Sequence, residues 1–288
     1  MAEDQPKEAW QPLTFVGVAR FAVASRWRLL TVELVFALTV AVVVVWFVNQ
    51  GWMPVIEKSI NRMPSNGEIR GGRLEWPSGA VVQQEGPFMR IDVRPTGFTN
   101  VVETRDLVLA FGPDELKIAS SLGLGVLPVA YIKGWIISFN KSFLGPWWGA
   151  RSHMVLIGLG VLVVITLLIA WSALGVLYMF PVKVFSMRRV SWMGARKLAI
   201  AAHLPGVLVM NVAIVLYGLK QLDLVALIIV WVGHLFLPWA YLIFSPILAP
   251  KPSNSKTANS VMTLAKRRPK DNPFDESTDS MDNPFGDK

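Results

Sequence analysis

Polar side chains inside long apolar stretches are the residues of this sequence whose types and spacing suit chemistry. They are Glu33 in the first stretch, His203 and Asn211 in the third, and His234 in the fourth. Ionisable groups are costly in such a setting and are usually retained for function. A turn near Lys220 places Asn211 and His234 at depths that differ by roughly 6 Å, at 1.5 Å of helical rise per residue. We therefore expect a hydrogen bond between Asn211 and His234 that holds the two stretches together.

A proton relay or a metal site is the alternative role for the two histidines. Two histidines without a nearby carboxylate do not complete a set of metal ligands. Pro205 and Pro238 lie at similar depths in the same two stretches, where matched kinks would open a cavity of the kind that transporters need. Glu33 lies one turn into its own stretch. We expect it to form an ion pair with Arg26 or with a cation at the start of the third stretch.

The chain contains no motif of a known catalytic centre. It lacks a glycine-rich phosphate loop, a nucleophile elbow and a His-Glu-x-x-His pattern, and it has no cysteine. The missing cysteine excludes a thiolate nucleophile, a thiolate metal site and a disulfide framework. We expect a protein that is not an enzyme, with no catalytic residue, no metal and no cofactor.

The last residues, 251–288, form a polar segment that repeats Asp-Asn-Pro-Phe twice. The segment has too few apolar residues to fold, so we predict a disordered tail. Each Asn-Pro-Phe predicts a type I turn that projects its Phe outward, and two copies add avidity. The two copies are Asn272, Pro273, Phe274 and Asn283, Pro284, Phe285. They resemble the Asn-Pro-Phe ligands of EH domains in eukaryotic membrane traffic, which implies a docking role; the alternative is a solubilising tail.

The elements that must position these groups are the four apolar stretches themselves. With 53% apolar and only 17% charged residues, the composition is typical of a membrane protein. Each stretch is long enough to cross a hydrocarbon core of roughly 30 Å. We predict transmembrane helices at 29–48, 154–180, 198–219 and 222–247.

The positions of Lys and Arg predict the orientation of these helices. Basic residues cluster in 1–28, in 181–197 and after the fourth helix, and such clusters mark the cytoplasmic side. The N-terminus and the tail are therefore predicted to be cytoplasmic. We expect the N-terminus to include an interfacial amphipathic helix; the alternative is a ragged extension of the first transmembrane helix. The net charge of +8 follows from this topology, so we expect the bilayer and membrane or cytoplasmic proteins as partners, and no nucleic acid. The predicted location is a bacterial cell (inner) membrane.

The long connection between the first two helices predicts a small antiparallel β extracytoplasmic domain at 51–119. Apolar and polar residues alternate at 89–93 and 107–111, as they do in half-buried strands. Residues 120–151 are apolar but are interrupted by Pro and Gly. We predict a juxtamembrane or re-entrant segment there that packs the sheet on the bilayer, and the alternative is a fifth transmembrane helix.

The stretch MPSNGEIRGGRLEWP lies between one anchor helix and three clustered helices. This layout resembles an uncharacterised family of bacterial multi-pass membrane proteins with a Pro-x-Gly-x-Ile-x-x-Gly-x-Leu stretch in the outer domain. The matching residues are Pro64, Ile69, Gly72 and Leu74, with one more residue between Pro64 and Gly67. The resemblance implies an architecture and no chemistry.

Our leading hypothesis is an integral membrane scaffold or accessory subunit with an outer β domain and a cytoplasmic docking tail. The alternative is a small transporter or channel component that uses the hairpin of the third and fourth helices.

Overall fold

The computed structural model describes residues 10–97, 105–121, 125–187 and 190–249. The tail at 251–288, with both predicted Asn-Pro-Phe turns, lies outside these residues. The helices of the described residues are α1 (Phe15–Arg20), α2 (Arg26–Gly51), α3 (Met53–Arg62), α4 (Lys141–Phe185), α5 (Trp192–Gly218), α6 (Leu224–His234) and α7 (Leu237–Phe244). The strands are β1 (Glu68–Arg70), β2 (Arg73–Glu75), β3 (Val82–Glu85), β4 (Met89–Val93), β5 (Leu107–Phe111), β6 (Glu115–Ala119), β7 (Val126–Ala130) and β8 (Ile136–Ile137).

Four helical stretches are long and apolar enough to cross a membrane: Arg26–Arg62, Lys141–Phe185, Trp192–Gly218 and Leu224–Phe244. The structure therefore confirms four apolar helices and a small β region. Helix α4 has 45 residues and spans about 67 Å at 1.5 Å per residue. This is about twice the thickness of a hydrocarbon core. Helix α4 therefore extends beyond the predicted 154–180 at both ends, and its first turns contact the β domain.

Helix α5 is the centre of the helical bundle, which we define as α1, α2 and α4–α7. It packs against each of the other bundle helices. Small residues permit this close approach: a Cβ on Gly175 of α4 would lie 2.4 Å from the Ile200 side chain of α5. Helix α1 lies within the predicted interfacial segment, yet Val18 and the following Phe21 are fully buried against the bundle core.

Helices α2 and α5 begin at the same end of the bundle, where α4 finishes. We call this the basic end, because Arg26, Arg196 and Lys197 lie there. The opposite end contacts the β domain, which we define as α3 and β1–β8. That domain has a three-stranded sheet in the order β2-β1-β8 and a five-stranded sheet in the order β3-β4-β5-β6-β7. Helix α3 packs against β3 and β4.

The five-stranded sheet is mixed, so the prediction of an antiparallel domain is wrong in one strand pair. Strands β4 and β5 are parallel, with Met89 opposite Leu107 and Ile91 opposite Leu109. The connection at 94–106 is long enough for a crossover between parallel strands, whereas an antiparallel pair needs only a short turn. Alternation of side chains is the same in both arrangements, so the pattern did not distinguish them.

The stretch with the family resemblance forms the β1–β2 hairpin. Gly71 and Gly72 make its two-residue turn with φ angles of 59° and 81°, a conformation that favours glycine. Ile69 and Leu74 are opposite each other in the ladder and are buried. These matching residues therefore have structural roles.

Residues 120–151, predicted as one apolar juxtamembrane segment, supply β7, β8 and the start of α4. Strand β7 pairs with β6, and β8 pairs with β1. Pro128 lies in β7 at the edge of its sheet, where a residue without an N–H is tolerated. Much of the segment is therefore part of the β domain rather than a separate element.

Candidate functional site

The two predicted histidines line one cavity of about 490 Å³ between α4, α5 and the α6–α7 junction. We call it the histidine cavity. The rings of Tyr178 on α4 and His203 on α5 have centroids 5.2 Å apart. The other aromatic residues of the cavity wall are Trp171, Trp231, Phe236 and Trp239. Two imidazoles are thus surrounded by aromatic and aliphatic side chains.

The polar atoms of the histidines are oriented by their own helices. His203 Nδ1 donates to the Ala199 carbonyl oxygen at 2.8 Å, and His234 Nδ1 donates to the carbonyl oxygen of Trp231. In a neutral imidazole with Nδ1–H, Nε2 is a hydrogen-bond acceptor. The cavity is therefore suited to an apolar or aromatic molecule that carries a hydrogen-bond donor.

A break in the fourth apolar stretch lies beside this cavity. Helix α6 ends at His234 and α7 begins at Leu237, with Pro238 in the first turn of α7. Discontinuous helices expose backbone groups that can bind ligands when they face a cavity. Pro205, by contrast, lies inside the unbroken helix α5.

The expected hydrogen bond between Asn211 and His234 is not formed. Asn211 is 6% exposed, and neither its Oδ1 nor its Nδ2 has a hydrogen-bond partner among the described residues. A Cβ on Gly206 would lie 3.4 Å from the His234 carbonyl oxygen, so Gly206 is the α5 residue level with His234. His203 is three residues from that level and Asn211 is five, which explains why His203 shares the cavity with His234.

The described residues contain no group of three or more His, Cys, Asp or Glu side chains that could hold a metal ion. The third histidine, His153, lines a separate groove between α2 and α4. No side chain in the described part of the molecule supplies the carboxylate that a His-based metal set would need beside the histidine cavity.

Glu33 lies at the basic end, 4% exposed, and it is attracted electrostatically by Arg196 near the start of α5. Both side chains line a pocket of about 480 Å³. Arg26 lines the same pocket. The structure thus brings Glu33 close to the cations named from the sequence, around an open space.

An aromatic cluster joins the bundle to the β domain, and the sequence reasoning missed it. We call it the aromatic contact; its members are Phe47, Trp52, Phe88 and Tyr217. The Phe88 ring of the β domain lies 5.2 Å from the Phe47 ring and 4.8 Å from the Tyr217 ring. The Tyr217 hydroxyl also donates to the Asp106 carboxylate just before β5. An aromatic residue in the β3–β4 turn was the one available signal.

Strand β7 is exposed along its whole length. It is the last strand of its sheet, and Leu127 is 61% exposed. Beyond it, the Tyr131 hydroxyl donates to the Gly112 carbonyl oxygen at 3.0 Å. Burial, with the charges of Asp114 and Glu115, raises the pKa of Tyr131 well above its usual range, so the phenol stays protonated and keeps donating at physiological pH.

No protein-family model, curated protein or solved structure matches this chain.

Proposed function

We propose that the protein is an integral membrane scaffold or accessory subunit whose basic end is cytoplasmic and whose β domain is on the outer side. The cations at the starts of α2 and α5 and Lys183 in the last turn of α4 support this orientation, because short basic flanks stay on the cytoplasmic side. The N-terminus and the tail then share one side.

The observation that carries this proposal is the exposed edge strand β7 on a domain held against the bundle. The aromatic contact and the Tyr217–Asp106 hydrogen bond hold the β domain at the bundle. Strand β7 pairs with β6 on one side only, and its other side has unpaired backbone groups except at Pro128, which has no N–H; Leu127 and Val129 are exposed. An exposed edge of this kind accepts a further strand from a partner.

Site-specific photocrosslinking in native membranes tests the partner surface. A photoreactive residue in place of Leu127 should crosslink to one outer-side protein. The same residue in place of Glu57, which is exposed on α3, is the matched control and should not give that product. Crosslinks from position 127 to lipid alone would contradict a protein partner on this strand.

The tail belongs to the same proposal as the cytoplasmic docking segment. Each of its two Asn-Pro-Phe sequences supplies one Phe for a small pocket on a partner, and two copies strengthen binding through avidity. Replacing both Phe274 and Phe285 with Ala should remove a cytoplasmic partner from a pull-down with the full chain. Retention of every partner by the double variant would leave the tail with a solubilising role.

A small transporter or channel component is the second candidate function. It is favoured by one observation, the position of the histidine cavity at the break between α6 and α7. Solute flux in proteoliposomes should fall for His203→Ala and His234→Ala. His153→Ala, outside the cavity, should leave the flux unchanged. Absence of any flux with the candidate solutes, together with intact assembly, would favour the scaffold.

A further inference from the structure

The basic end contains a pocket that the proposed function does not use. It has a volume of about 480 Å³ and lies between the N-terminal parts of α2 and α5, lined by residues from Arg26 to Glu33 and from Met193 to Ile200. Three of its lining residues are cations: Arg26 from α2, and Arg196 and Lys197 from α5. Glu33 is its one carboxylate. We call it the basic pocket.

The cations of the basic pocket are not neutralised by the protein groups around them. Glu33 attracts Arg196, whereas Arg26 and Lys197 repel each other. Three cations against one carboxylate leave an excess of two positive charges if all four groups are ionised. Like charges held this close favour an anion between them, because it replaces repulsion with attraction.

Hydrogen-bond donors in the pocket point to the same ligand. Arg196 Nε is buried and has no partner among the described residues. Lys197 Nζ donates to the Ala24 carbonyl oxygen at 2.5 Å, which uses one of the three donors of an ammonium group. A phosphate group accepts several charge-assisted hydrogen bonds at once, so it matches two guanidinium groups and an ammonium group better than a carboxylate does.

Two helix N-termini add to the positive field. Helices α2 and α5 both begin at this end, where Ser25 accepts from Arg28 N and Ser191 accepts from Gly194 N. The amino end of a helix carries a partial positive charge that favours anions. The contribution of these helix ends supports that of the side-chain cations.

The remaining walls of the basic pocket are hydrocarbon and indole. They are formed by Trp27, Leu29, Leu30, Met193 and Ile200. Trp27 is 78% exposed and Met193 is 40% exposed, so the pocket opens onto an apolar outer surface. A free phosphate ion gains nothing from such walls, whereas a phospholipid places acyl chains on them.

We propose that the basic pocket binds the phosphate group of an anionic phospholipid, with the acyl chains against Leu30 and Met193. The proposal rests on the membrane embedding in the proposed function, since the headgroups of the cytoplasmic leaflet lie at the depth of the basic end. It is independent of a partner on strand β7: failure of the crosslinking at position 127 leaves it intact, and loss of lipid binding leaves that crosslinking unchanged.

Native mass spectrometry of the delipidated full-length protein tests the site. We expect wild-type protein to bind phosphatidylglycerol more tightly than phosphatidylcholine, whose headgroup is neutral overall. Arg26→Gln and Arg196→Gln should each weaken phosphatidylglycerol binding about tenfold, as for the loss of one charge-assisted contact. Arg20→Gln, which removes the same charge outside the pocket lining, should change it less than twofold.

A fourth variant distinguishes a binding role of these residues from a structural role by the direction in which it changes the lipid affinity. Glu33→Gln removes the pocket's carboxylate and should tighten phosphatidylglycerol binding at pH 8, which loss of structure would not do. Equal binding by wild type, Arg26→Gln and Arg196→Gln would overturn the proposal. Competition with glycerol 3-phosphate tests whether the ligand is instead a soluble phosphate ester. If glycerol 3-phosphate displaces the lipid fully at an equal concentration, the site binds phosphate without acyl chains, and the lipid assignment is overturned.

Discussion

The two ends of helix α5 are built in opposite ways. At one end Tyr217 is packed among aromatic rings, and a Cβ on Gly218 would lie 2.7 Å from the Trp46 ring. At the other end Arg196 and Lys197 surround a pocket of about 480 Å³. A filled contact contributes to stability through buried area and packing, whereas an open and charged pocket contributes to binding. We therefore expect substitutions at the two ends to affect different measurements.

The largest loss of stability is expected for Phe88→Ala in the aromatic contact. Phe88 is 7% exposed and lies against two rings. Its truncation should lower the free energy of unfolding by about 3–5 kcal/mol, the usual range for a buried Phe. Denaturant titration in detergent measures the change. Phe143→Ala is the control, since Phe143 is 52% exposed. If both variants lower the free energy of unfolding equally, the aromatic contact does not stabilise the protein more than an exposed Phe does.

Tyr217→Phe removes the hydroxyl that donates to Asp106 and keeps the ring. Hydrogen bonds to charged groups contribute about 1.5–3 kcal/mol, so a loss in that range is expected. A double-mutant cycle with Asp106→Ala isolates the pair, because Ser121 also donates to Asp106. If the two single losses simply add, the link between the bundle and β5 lies elsewhere.

Tyr131→Phe should have a smaller effect at the far edge of the same domain. It removes one neutral hydrogen bond to the Gly112 carbonyl oxygen, which is worth about 1 kcal/mol. Denaturant titration and proteolysis near β7 give the measurement. A loss as large as that of Phe88→Ala would mean that strand β7 is needed for the whole fold, contrary to its position at the sheet edge.

Arg26→Gln should have the smallest effect on stability, because Arg26 is exposed in the first turn of α2. We expect a change within about 0.5 kcal/mol, as for other surface substitutions. The same variant should bind phosphatidylglycerol about tenfold more weakly, which sharpens the contrast with Phe88→Ala. A large loss of stability for Arg26→Gln would erase the difference between the two ends.

Local patterns predicted much of the fold. The four apolar helices and the strands at 89–93 and 107–111 follow from residue types that are close in the sequence. The parallel pairing of β4 and β5 did not follow, because both pairing directions show the same alternation. The predicted hydrogen bond from Asn211 to His234 was also wrong. The sequence placed these two residues at similar depths, whereas the α5 residue beside His234 is Gly206.

The candidate sites could not be predicted from local sequence patterns either, because their residues come from different helices and strands. The basic residues at the starts of α2 and α5 were visible as topological signals, yet their meeting around one pocket depends on how the two helices pack. The aromatic contact joins Phe47, Phe88 and Tyr217, which are far apart in the sequence. A single sequence contains no local signal for such a meeting.

By itself, the sequence determined that this chain has four apolar helices, a β region between the first two and cations at one set of helix ends. These are local properties, set by the length of apolar runs and by the period of alternation. Only the tertiary structure decided which polar groups share a cavity and which end of α5 is filled. Those outcomes depend on helix register and rotation, which result from packing whole faces against one another and not from any single stretch of residues.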